Sequence, residues 1–97
     1  MMASELSIPL TALLEMVERF ERGEVAVEVL QAAIRSAEDS VTEHELRDLR
    51  RFLQSAEGKL ELIRFTVDGE RVFGHAVEVA REVGSQVRVA LGTVGPT

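Results

Sequence analysis

The sequence predicts an all-α fold, a small four-helix domain with a long third helix, and three observations carry that expectation. Leu46, Leu49, Leu53, Ala56, Leu60, Ile63 and Val67 recur at alternating intervals of 3 and 4, the apolar seam of one helix running from Thr42 to Val67. Upstream, two further runs of helical period are separated by Gly23, a residue that can take the positive φ needed to end one helix and reverse the chain. Thr42 and Glu45 have the spacing of a capping box, in which each side chain satisfies the other's free backbone N–H.

The first helix is expected from Ile8 to Arg22. Ser7 and Pro9 suit a helix start, because the first turn has no partner for the N–H that proline lacks. Leu10, Leu13, Leu14, Val17 and Phe20 then share one face, and Glu15 with Arg19 and Glu18 with Arg22 stand at i,i+4 in the favourable acid-first order. A second helix runs from Val25 to Glu38 on Val27, Leu30, Ala33, Ile34 and Ala37, and Asp39 and Ser40 interrupt it.

Beyond the long third helix two readings compete. Asp68 can precede a fourth helix carrying Val72, Ala76, Val79 and Val83 and ended by Gly84. The alternative is α+β, three N-terminal helices followed by a C-terminal β-hairpin, with Ile63, Phe65 and Val67 alternating ahead of an Asp68-Gly69 turn. After Gly84 the segment QVRVAL alternates as a short strand or ordered arm would. Residues 1–92 are read as a single helical domain and 93–97 as a flexible tail.

Composition bounds the chemistry. The chain has 97 residues, no Cys, no Trp, no Tyr and four Phe, so disulfides and thiolate sites are excluded and base-stacking platforms are scarce. No window reaches the roughly 18 apolar residues of a membrane span, and the N-terminus lacks the basic and apolar regions of a secretory signal. The reading is a soluble, cytoplasmic protein with no membrane partner. Net charge is −6, of which −5 falls in residues 1–40. A field of that sign repels phosphate backbones and favours a basic protein surface, so nucleic acid is not the expected partner.

No catalytic or cofactor constellation emerges, and neither an enzyme activity nor a cofactor is expected. His44 and His75 are 31 positions apart with no metal-ligand spacing. Arg47, Arg50 and Arg51 could clamp an anion, but Glu43 and Asp48 are placed to pair with Arg47 and Arg51 along the helix. Acidic residues cluster at the turn between the second and third helices: Glu38, Asp39, Glu43, Glu45 and Asp48. Glu38 and Asp39 are the informative ones, because the dipole disfavours acids at a helix C-terminus. The residues expected to bind a partner are therefore Glu21, Glu24, Glu28, Glu38, Asp39 and Glu43. A second reading is a homodimeric structural or regulatory adaptor that uses the third-helix seam, since Phe52, Leu62 and Phe65 extend its apolar surface beyond one stripe. A third is an enzyme or small-ligand sensor around His75 and the Arg47 cluster.

The stretch LLEMVERFERGEVAVEVLQAAI is a helix that ends in Phe-x-x-Gly-Glu-Val and turns into a second helix. Through Phe20, Gly23, Glu24 and Val25 it resembles the opening of small bacterial immunity proteins of the colicin D type, over the first 40 residues. The resemblance implies inhibition of a basic toxin, typically a ribonuclease, by acidic side chains that occupy its active cleft.

Overall fold

The computed structural model describes residues 2–41 and 46–94, with side chains described for 7–41 and 46–92. Four helices account for nearly all of them: α1 (Met2–Glu21), α2 (Val27–Ser40), α3 (Arg47–Thr66) and α4 (Gly69–Val94). The principal contacts join α1 to α2, α2 to α3, α3 to α4 and α4 back to α1. Joined by short connections, they form an antiparallel up-and-down bundle, elongated at 44 × 23 × 17 Å.

Heptad spacing explains why these segments form a bundle. Leu10, Leu13, Val17 and Phe20 on α1, Leu30, Ile34, Ala37 and Val41 on and just after α2, Leu49, Leu53, Ala56 and Leu60 on α3, and Ala76, Ala80, Val83, Val87 and Ala90 on α4 are all buried. Each set advances by 3 or 4 residues, so each helix turns one stripe inward. Large Leu and Phe side chains on α1 to α3 face a stripe of Ala and Val on α4, which lets the fourth helix sit close.

The first helix begins at Met2, before the expected Ile8, and Pro9 lies inside it. Proline removes one intrahelical hydrogen bond, but Met2, Ala3, Glu5 and Leu6 are strong helix formers and carry the helix past it. Its end follows expectation. Gly23 has φ 76°, its N–H bonds to the Phe20 carbonyl, and the Glu24 N–H bonds to the Arg19 carbonyl, the paired hydrogen bonds of a Schellman turn. Ala26 then takes an extended conformation as the N-cap of α2, which continues to Ser40, two residues past the expected end.

The β-hairpin alternative is not supported: Ile63, Phe65 and Thr66 belong to α3, and no strand is present among the described residues. Ile63 packs against the core on the same stripe as Leu60, whereas an isolated two-stranded hairpin would leave that face without cover. Val67 and Asp68 alone separate α3 from α4, and the Asp68 carbonyl accepts the Arg71 N–H at 2.8 Å. Gly84 does not end α4 and QVRVAL is not a strand, because Val83, Val87 and Ala90 continue one buried stripe. The reason for glycine is contact: a Cβ built on Gly84 would lie 3.3 Å from Val17 Cγ1. α4 is therefore the longest helix, at 26 residues against 20 for α3. The start expected at Thr42, with its capping box to Glu45, lies outside the described residues; of the tail expected at 93–97, Thr93 and Val94 belong to α4 and 95–97 lie outside the described residues.

Candidate partner-binding surface

The acids of the first two helices divide into those drawn into the fold and those left on its surface. A polar seam runs along the α2–α3 contact. Glu28, Gln31, Arg35 and Glu38 are spaced 3, 4 and 3 along α2, beside its apolar stripe, and Glu57, Glu61 and Arg64 occupy the facing flank of α3. Gln31 is buried, donates to Glu61 Oε1 at 2.7 Å and accepts from Arg64 Nη1 at 2.8 Å. Arg64 also lies 3.4 Å from Glu28 Oε2. One turn further, Arg35 Nε donates to Glu57 Oε2 at 2.8 Å.

Glu38 closes this seam and differs from the other acids. It is 9% exposed, and its Oε2 is buried with no hydrogen-bond partner. Burial, reinforced by the adjacent Glu57, pushes its pKa up to about 7. Burial acts on Glu57 in the same direction, but hydrogen bonds from Glu38 and Arg35 together with the Arg35 charge more than offset it and hold Glu57 below the usual carboxylate range. A proton held on Glu38 and donated to Glu57 removes the repulsion between the two carboxylates, while Glu38 Oε2 stays without a partner. Glu38 lies within the α2–α3 contact, on the other side of α3 from the groove that His75 lines with α4.

The remaining expected residues fall at the two ends of the bundle. Glu21, Glu24 and Glu28 stand where α1 gives way to α2, and the up-and-down topology brings the α3–α4 turn to the same end. Glu24 accepts from Arg22 Nε at 2.7 Å and lies 3.5 Å from Arg19 Nε. The Arg22 hydrogen bond holds Glu24 below its ordinary pKa. This replaces the expected pairs of Glu15 with Arg19 and Glu18 with Arg22: the turn at Gly23 swings Glu24 back over the end of α1, while Glu18 is 3.4 Å from Arg88 of α4. Glu21 is exposed and makes no ion pair among the described residues. Asp39 is exposed at the opposite end, and Glu43 lies outside the described residues.

Near Glu21 the Phe20 ring packs on Phe73 of α4 at 5.2 Å between centroids, and Phe73 remains 44% exposed. Glu70, one turn before Phe73, is exposed as well. The same end of the molecule carries Glu21, Glu24, Glu28 and Glu70, with Arg19, Arg22, Arg64 and Arg71 among them. No family model matches this chain, nor does any curated protein or solved structure.

The other candidates resolve differently. His75 is exposed on the rim of an open groove between α3 and α4, lined also by Leu62, Ile63, Glu78 and Glu82. Arg47, Arg50 and Arg51 are exposed, and the expected Asp48–Arg51 pair is not among the ion pairs of the described residues. No group of three or more metal-ligating side chains occurs among the described residues, and no helix among them is long and apolar enough to cross a membrane. The sequence reading missed Gln31, Arg35, Glu57, Glu61 and Arg64. Their 3 and 4 spacing beside two apolar stripes was the available signal, since flanking heptad positions carry the pairs between neighbouring helices.

Proposed function

We propose that the chain is a non-enzymatic protein-binding module, an acidic inhibitor of the immunity type that engages a basic surface on another protein in the bacterial cytoplasm. The observation that carries the reading is the end of the bundle that holds the exposed Glu21, Glu24, Glu28 and Glu70 together with the half-exposed ring of Phe73. Acids of this kind steer a basic partner and set its orientation, and a half-exposed aromatic ring supplies an anchor to be buried on contact. Glu24 and Glu28 are tied to arginines at the surface, where ion pairs contribute little, so both remain available to a partner's cations. Asp39 belongs to a separate face, and Glu38 acts inside the protein.

Zero-length carbodiimide coupling tests the reading, because it joins carboxylates of this chain to amines of whatever protein it holds. Cross-links at Glu21, Glu24, Glu28 or Glu70 that fade as salt is raised are expected. A partner cross-linked only through residues distant from this end, at undiminished yield in high salt, would contradict it.

A further inference from the structure

The seam on α3 that could have served a dimer is buried within the bundle, through Leu49, Leu53, Ala56 and Leu60. The opposite face of the same helix carries a second stripe. Arg47, Arg51, Gln54, Gly58, Leu62 and Phe65 follow one another at intervals of 3 or 4, and all six are exposed. Leu62 is 63% and Phe65 74% exposed, both large for lone apolar side chains on a helix whose core side is already filled. We propose that this outer face of α3 binds a second copy of the chain, with the two α3 helices antiparallel and crossing near Gly58.

The charge pattern selects that occupant and that direction. Arg47 and Arg51 make no ion pair among the described residues, and Asp68, just beyond the far end of α3, is exposed and also without one. Antiparallel pairing about Gly58 sets Arg47 beside the partner's Asp68, Phe65 beside the partner's Arg51 and Leu62 beside the partner's Gln54. Arg51 can then lie over the Phe65 ring, as Arg64 does within one chain at 5.9 Å. Parallel pairing would instead set Arg47 and Arg51 against their own copies. At the crossing point nothing lies within 4 Å of the place a Gly58 Cβ would occupy, so the two backbones can approach closely. One helix face about 30 Å long and 10 Å wide is smaller than the roughly 800 Å² per partner of a stable complex. The dimer is therefore weak and concentration-dependent.

Sedimentation equilibrium of the full chain from about 10 μM to about 1 mM tests the proposal. A monomer–dimer equilibrium within that range is expected, and Phe65→Ser is expected to weaken it about tenfold while leaving the helical circular dichroism unchanged. Arg47→Glu and Asp68→Arg are each expected to weaken self-association, because each places like charges opposite at two points. An equimolar mixture of those two variants is expected to regain the wild-type constant as a heterodimer. Gly58→Gln should raise the melting temperature of the monomer and lower its association. A monomer at every concentration overturns the proposal, and so does a dimer that tolerates both reversals or a mixture that fails to recover.

Discussion

The buried carboxyl of Glu38 faces Glu57 across the α2–α3 contact, and Arg35, one turn before Glu38 on α2, holds Glu57 as the ionised member of the pair. The folded pKa of Glu38 is about 7 against an ordinary 4.5. Between those values the folded protein binds more protons than the unfolded chain, so stability falls as pH rises from 4.5 to 7, by at most about 1.4 kcal/mol per pH unit. Glu57 acts in the opposite sense: its depressed pKa contributes stability above 4.5 that is lost as pH falls through the folded value.

Glu38→Gln keeps a donor to Glu57 and removes the charge. Urea denaturation at pH 5 and pH 8 is expected to show the variant more stable at pH 8 by about 1 to 3 kcal/mol, with the two proteins close at pH 5. Equal pH dependence in both would mean that Glu38 is ionised and solvated in the fold.

Two glycines in helices are expected to respond oppositely. Gly58→Ala meets open space and should stabilise by about 1 kcal/mol through helix propensity. Gly84→Leu pushes into Val17 and Leu14 and should destabilise by about 1 to 3 kcal/mol. Thermal melts of the two variants decide this, and similar shifts would show that α1 and α4 are not in close contact at Gly84.

Gly23 holds φ 76° with nothing near its missing Cβ, so the cost of a side chain there is conformational. Gly23→Ala should destabilise by about 1 to 2 kcal/mol while leaving the native circular dichroism unchanged. A variant as stable as wild type would indicate that the α1–α2 turn adopts another conformation in solution.

Leu53 and Leu62 lie on opposite faces of α3, one fully buried and the other 63% exposed. Leu53→Ala should cost about 2 to 5 kcal/mol and Leu62→Ala less than about 0.5 kcal/mol when measured on the dilute monomer. Comparable losses would mean that Leu53 does not face the core while Leu62 faces solvent.

The core was legible because burial follows helical period. Leu46 to Ile63 marked α3, Phe20 and Gly23 marked the first turn, and Ala76 to Val83 marked the start of α4. What the pattern could not settle was where a period stops. Gly84 carries the signature of a helix end and of a close helix contact alike, and only Val17 on another helix decides between them. The acids posed the same difficulty. Glu24 and Glu38 are both charged residues near helix ends, yet the first stays at the surface with Arg22 and the second is buried, because Glu38 lies on the flank of α2 that meets Glu57. Such a distinction depends on the register between two helices, which no single segment encodes.

Glu21 and Glu70, which make no ion pair among the described residues, are the acids of this end that the proposed docking of a basic protein depends on most. Calorimetric titration of the protein recovered by zero-length coupling, against the full chain and its Glu21→Lys/Glu70→Lys variant, tests it most directly. Binding at least about tenfold weaker is expected for the variant, with the difference narrowing as salt is raised. Equal affinities at low salt would contradict it.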